Sequence, residues 1–316
     1  MKVYSCWSGH DCSFAVLEDG KPVVHAEYER YIREKEPAGD GAKFMFDEFG
    51  DCEDMKYFAT VRDLKKLQDY EESFNRIKET LKKNDGEFYV IGHHQAHAAN
   101  TFFSSNYKKA LIVTMDGGGF DTKPYVPYQT LEQYEDNKIT TAFTVWTGEG
   151  NKIEKQFIFP HAQVNIGGVW TRCTRYIFKL QSGWPRGHQA GTVMAMAAMG
   201  DPERFKDDFY KMLKFDSASV SYKPPGQPRG AYTGNDPVHP YLNKWAEIAN
   251  KSDQDKFDLA AGLQSATEAY MKEIFASLLD SFPEYDHLCV AGGVSLNSVA
   301  MGKMVDWLGD RVKDIY

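Results

Sequence analysis

The chain has 316 residues, 42% of them hydrophobic and 26% charged, with a net charge of −8. That length exceeds one ordinary domain and implies one large domain or two related lobes. No run of 18 apolar residues occurs, which excludes a membrane span, and the negative charge weighs against sequence-blind binding to a polyanion.

Residues 3–7, 13–17 and 22–27 read as three short strands, joined by turns at 8–11 and 18–20. Residues 35–50 read as loop and 63–83 as a charged helix. A strand at 87–91 precedes a helix from 93 to about 103. The buried strand 110–115 runs into Asp116-Gly117-Gly118-Gly119, and further strands follow at 141–146 and 152–159. Helices are expected at 168–180, 192–199, 202–214 and 256–279, with a Gly-, Pro- and Ser-rich loop at 217–236. Strand 287–290 ends in Ala291-Gly292-Gly293, and a helix covers 296–308. A strand group with helices is thus repeated once. That predicts an α/β fold with two similar lobes, 1–109 and 110–316, facing each other across a cleft. The five cysteines (Cys6, Cys12, Cys52, Cys173, Cys289) are odd in number and lack C-x-x-C spacing. With no leader visible at the N-terminus, the chain reads as cytoplasmic, with reduced thiols and no zinc knuckle.

Three features point to chemistry. Glycines at strand ends (Gly9, Gly117 to Gly119, Gly292 and Gly293) let backbone approach a ligand and can cradle a phosphate, although each alone reads equally as a tight turn. In Gly92-His93-His94-Gln95-Ala96-His97-Ala98-Ala99, His93 and His97 stand one helical turn apart. That spacing suits a divalent ion, with Asp116 at the next strand's end as a carboxylate ligand; the alternative is a hydrogen-bonded helix start. Third, Arg172, Arg175, Lys179 and Arg186 interleave with Trp170, Tyr176, Phe178 and Trp184. Such a stretch stacks bases and holds phosphates, or else forms an amphipathic helix with its charges in water.

These residues resemble a known family. Ser8-Gly9-His10-Asp11-Cys12-Ser13-Phe14-Ala15 is similar to the G-H-D-A-S-x-A opening of the O-carbamoyltransferases that act on nodulation factors and aminoglycosides. Residues 27–35 resemble that family's E-x-E-R-x-x-R-x-K segment. Residues 93–99 match its H-H-x-A-H-A-A almost letter for letter, Asp116-Gly117 its strand-end D-G, and residues 291–297 its A-G-G-V-A-L-N. The five motifs occur in order over nearly the whole chain. The resemblance implies the duplicated RNase H-like fold of actin, sugar kinases and heat-shock ATPases, with a nucleotide in the interlobe cleft. It also implies that a YrdC-like domain, in cis or in trans, makes carbamoyl adenylate from carbamoyl phosphate and ATP. The lobes then pass the carbamoyl group to a hydroxyl of a small molecule or of a hydroxymethylated pyrimidine in nucleic acid. On this resemblance His93, His97 and Asp116 hold a divalent metal, expected to be Fe2+. His10 and Lys35 act as base or charge stabiliser, and Gly9, Gly117, Gly118, Gly119, Gly292, Gly293 and Asn297 surround the nucleotide.

The chain departs from the family in three places. It stops at residue 316, where the family continues with an Asp-x-Gly turn that supplies a further metal ligand; the second lobe is therefore expected to lack its last strands, as in a fragment or a split relative. The family's E-G-K-x-M-G-L-A stands here as residues 190–197, with Thr192 for the lysine and Ala195 for a glycine. The basic aromatic stretch has no counterpart. The competing expectations are a threonylcarbamoyl-type subunit of tRNA modification and a nucleotide-binding module without transfer chemistry.

Overall fold

The computed structural model describes residues 1–35, 37–61, 70–122, 138–160, 164–180, 189–217, 220 and 240–316. The expected loop at 217–236, the first part of the helix expected at 63–83, and Trp184 and Arg186 fall largely or wholly outside them.

In β1 (Lys2–Trp7), Tyr4 and Cys6 point inward, and in β2 (Ser13–Glu18) Phe14 and Val16 do the same, the period of two that a half-buried strand requires. Asp19-Gly20 turns β2 into β3 (Lys21–Glu27) with φ of 50° and 77°, the left-handed pair that a two-residue hairpin needs. After α1 (Tyr28–Ile32) and α2 (Gly41–Phe49) come β4 (Tyr57–Thr60), α3 (Glu71–Lys83) and β5 (Glu87–Val90). The sheet order is β3-β2-β1-β4-β5, with β4 parallel to both β1 and β5.

Two elements here correct the sequence reading. Residues 41–49, expected as loop, form α2, capped by the Asp40 carboxylate accepting from the amides of Ala42 and Lys43 at 3.0 and 3.1 Å. Its Phe44, Met45 and Phe46 are buried in the core with Phe14, Phe58 and Ile77. Gly41, which suggests a loop in sequence, is there for space: a Cβ would lie 2.3 Å from the Trp7 carbonyl oxygen. The unforeseen β4 is four residues long and fully buries Phe58.

The second sheet consists of β6 (Lys109–Thr122), β7 (Lys138–Glu149), β8 (Lys152–Pro160), β9 (His287–Ala291) and β10 (Asp314–Ile315), ordered β8-β7-β6-β9-β10. Counted within each sheet, both run 3-2-1-4-5, so the expected duplication is present as two RNase H-like sheets. Asp314 and Ile315 pair in parallel with His287 and Leu288 and occupy the fifth position. One correction concerns Asp116 to Gly119, expected as a turn. β6 continues in extended form through them to Thr122.

Between the strands lie α4 (His93–Ser104), α5 (Ile166–Arg172), α6 (Ala190–Ala197), α7 (Lys206–Lys211), α8 (Pro240–Ala249) and the 29-residue α9 (Asp253–Ser281). The last helix is α10 (Ser298–Leu308). α5 and α7 each continue into a π-helical turn, Cys173–Ile177 and Met212–Asp216, where single α-helices were expected. One compact unit is built on Met1–His93 and the other on His94–Tyr125, Ile139–Gln181 and His188–Tyr316. Ala98 and Phe102 of α4 pack with Ala110, Ile112, Trp146 and Cys289. All five cysteines are free and buried. Among the described residues no helix is long and apolar enough to cross a membrane.

Candidate metal centre

α4 begins at His93 and keeps helical phase through Ser104, so His93 and His97 fall one turn apart on one face, as the spacing requires. Ala98, Thr101 and Phe102 turn to the core. The Asp116 side chain completes the group: donor atoms of His93, His97 and Asp116 all lie within 4.8 Å of one another. His97 Nε2 stands 3.4 Å from Asp116 Oδ2. All three side chains are half-buried. Donors bound to one ion at roughly 2.0–2.2 Å stand at most about 4.4 Å apart, so a small side-chain rotation brings the group to ligand distance. Two imidazoles and one carboxylate form a fitting set for a divalent transition ion, with coordination positions left for substrate.

Asp116 is held from two sides. Its Oδ1 accepts from the Gly117 amide at 2.6 Å, and its Oδ2 accepts from the Gly293 amide at 3.2 Å. Gly293 reaches it because Gly292, at φ 96°, packs so tightly that a Cβ would lie 2.3 Å from the Met115 carbonyl oxygen. Gly167, at the start of α5, presses equally on the same strand: its Cβ would meet the Gly117 nitrogen at 2.6 Å and the Asp116 carbonyl carbon at 2.7 Å. Sequence reading missed Gly167, and Asn165-Ile166-Gly167-Gly168 offers no signal beyond a helix cap. It also assigned nothing to His94, which is fully buried between the two candidate ligands.

The other predicted residues are distributed as follows. Gly117 and Gly293 support Asp116. Gly118, exposed within β6, has φ 150°, and Gly119 follows it in the strand. Gly9 exchanges two backbone hydrogen bonds with Gly39, at 2.9 and 3.0 Å, closing the 8–11 turn onto the segment before α2. Asn297 is 7% exposed, caps α10 by accepting from the Ala300 amide, and pairs reciprocally with the Gln264 amide at 2.9 and 3.0 Å. In the first unit, the exposed His10 ring is hydrogen-bonded through Nδ1 to Asp11 Oδ2 at 2.6 Å, and the Trp7 indole donates to the His10 carbonyl. Lys35 is exposed beyond α1. The basic aromatic stretch is not a stacking platform in its described part. Trp170, Tyr176 and Phe178 are core residues, with the Trp170 indole donating to Thr267 Oγ1, and Arg172 and Arg175 lie over the Tyr176 ring.

Residues 53–309 match the family described as carbamoyltransferase N-terminus. The chain is similar to the uncharacterized protein sll1178 of Synechocystis sp., 26% identical over 224 residues, which cover 67% of this chain and 31% of that protein. It is similar also to the nodulation protein NolO of Bradyrhizobium diazoefficiens, 26% identical over 223 residues, 68% of this chain and 33% of that one. It therefore spans about a third of the length of these curated relatives. Among solved structures, full-length HypF in its phosphate- and nucleotide-bound form aligns at a TM-score of 0.49 and 12% identity, over 100% of this chain and 43% of that one. With the family match extending over most of its length, and with the histidine pair and Asp116 brought together inside the matched region, this chain belongs to the carbamoyltransferase N-terminus family.

Proposed function

We propose that this chain carries the transfer site of an O-carbamoyltransferase, passing the carbamoyl group of carbamoyl adenylate to an acceptor hydroxyl. The observation that carries the reading is the convergence of His93, His97 and Asp116 in a chain of this family. The three residues would hold a divalent metal, with iron(II) the first ion to test, and a metal there supplies Lewis-acid stabilisation of the phosphate side of the donor. In the transfer the acceptor oxygen bonds to the carbamoyl carbon, the bond from that carbon to the AMP oxygen breaks, and AMP leaves with the electron pair. The acceptor's proton needs a base. His10 has the form of one: its Nδ1 is tied to the Asp11 carboxylate, which orients the ring. The cationic Lys35 is assigned to offset negative charge developing on the carbamoyl oxygen. Gly118, Gly119 and Gly292 are assigned to the nucleotide's surroundings. Formation of the donor from carbamoyl phosphate and ATP is assigned to a YrdC-like module in the same polypeptide or in a separate chain.

The test is transfer of labelled carbamoyl from preformed carbamoyl adenylate, with iron(II), cobalt(II) or zinc(II) supplied, to sugars, aminoglycosides, nucleosides and hydroxymethylated DNA. A labelled product establishes the reaction and its acceptor class. A folded protein that binds neither metal nor adenylate overturns the reading.

A further inference from the structure

The buried histidine between the two candidate ligands is fixed by a hydrogen-bonded chain whose direction can be read from its ends. The Trp146 indole N–H can only donate, and it faces Thr144 Oγ1 at 2.7 Å. The Thr144 hydroxyl faces Thr114 Oγ1 at 2.5 Å, and Thr114 Oγ1 faces His94 Nδ1 at 2.7 Å. At the far end His94 Nε2 lies 3.2 Å from the Thr141 carbonyl oxygen, which can only accept. Each hydroxyl has a single proton. With a neutral ring the run is Trp146 to Thr144 to Thr114 to His94 Nδ1, and His94 carries its proton on Nε2. The His94 amide adds a third tie by donating to the buried Asp121 carboxylate at 2.7 Å. Trp146, Thr144, Thr114, Thr141 and His94 are all essentially inaccessible to solvent.

From this geometry we infer that His94 is the positioning residue of the centre, setting the rotation of α4 so that His93 and His97 present to Asp116. Successive helical side chains are separated by about 100°. His93 thus lies about 100° to one side of His94, and His97, three residues on, lies about 60° to that same side. Clamping the one inward ring fixes the direction of both ligands, and Thr114 ties that clamp to the strand that bears Asp116 two residues later. A helix held by apolar contacts alone could roll by a few degrees at little cost, whereas two ring bonds and an amide bond to three separate strand residues allow no such freedom.

The inference rests on the metal reading for its consequence, and cobalt(II) titration followed by visible absorption tests the two separately. Thr114→Val removes the hydroxyl at nearly constant shape, and Thr114→Ser restores it. Loss of a group that orients a metal ligand lowers affinity by about 10- to 100-fold. The valine variant is expected to bind cobalt that much more weakly than the parent, and the serine variant to stay within about threefold of it. Equal losses in both, or parental affinity in the valine variant, overturn the inference, as does a 15N spectrum that puts the His94 proton on Nδ1. A parent protein that takes up no cobalt overturns the metal reading instead. The inference is then judged on the metal-free protein: ring 15N shifts of His93 and His97 must move in Thr114→Val and stay in Thr114→Ser.

Discussion

Gly292 and Gly302 allow one substitution to be tested for opposite effects. At Gly292 the backbone has φ 96°, and an added Cβ would sit 2.3 Å from the Met115 carbonyl oxygen and 2.8 Å from its carbon. Nothing flexible can yield, because the obstacle is the backbone of β6. A side chain in that conformation costs about 1–2 kcal/mol, and forcing atoms into packed space costs about 1–3 kcal/mol more. Gly292→Ala is therefore expected to lose about 2–5 kcal/mol, a large part of the roughly 5–15 kcal/mol that holds a folded protein together. Gly302 lies within α10, is exposed, and has nothing within 4 Å of where an added methyl would sit. There alanine is expected to add about 0.5–1 kcal/mol, because glycine loses more freedom on entering a helix. At about 2–4 °C per kcal/mol for a unit of this size, melting followed by circular dichroism should fall by about 4–20 °C in the first variant and rise by about 1–4 °C in the second. A Gly292→Ala protein that melts with the parent, or a Gly302→Ala protein that falls alongside it, would refute the close-approach argument. Since Gly293 donates to Asp116, whatever Gly292→Ala protein remains folded should also bind metal more weakly.

Three further outcomes are expected. His93→Ala and His97→Ala should each abolish metal binding and transfer while changing stability by no more than about 0.5 kcal/mol, as half-exposed positions do; loss of the folded circular dichroism spectrum would count against a ligand role. Asn297→Ala removes a helix cap, at about 1 kcal/mol, and strips the Gln264 amide of its paired partner, at about 1–3 kcal/mol. Its melting point should therefore drop while nucleotide affinity of the folded fraction holds, and the opposite result would return Asn297 to the nucleotide. The Asp286 carboxyl is held down to about 2, from 3.8, by hydrogen bonds from Lys313 and then His287. A carboxyl depressed on folding contributes stability that is fully present above its unfolded value and is lost as pH falls through its folded one. The stability difference between parent and Asp286→Asn should be constant above about pH 4 and shrink toward pH 2; a difference that stays flat throughout would refute the pairing.

The fold was legible wherever local chemistry repeats a short period. The hairpin at Asp19-Gly20, the strands on either side of it and the long helix beginning after Ser252 all have their signals within a few residues of where they act. The misreadings have a common cause. Residues 41–49 carry a sound helix cap at Asp40 and an apolar run, but Pro37, Gly39 and Gly41 in and before the segment suggest a loop, and the reason for Gly41 is a carbonyl on a strand 34 residues earlier. β4 is too short to show a period, and its pairing with β1 and β5 is what makes it a strand. Which core receives Ala98 and Phe102 of α4 is likewise something that no local pattern states.

The site divides along the same line. The spacing of His93 and His97 is a statement about one helix, so the sequence contains it; Asp116 could be named as partner from its place after an apolar strand, although β6 runs on through it to Thr122. The glycines are different. Their sequence says that a side chain is unwelcome, and it does not say what takes the space. A ligand phosphate and a neighbouring backbone leave the same mark. At Gly292 and Gly167 the space is taken by backbone on either side of Asp116, and the amides of Gly117 and Gly293 close on its carboxylate. These glycines therefore act by holding Asp116 in place, which under the proposed metal reading is a role distinct from contact with a nucleotide. The same reasoning applies to His94, whose proposed role follows from facing inward: on the proposed metal reading, a histidine on the buried side of the helix is better placed to orient the ligands than to be one.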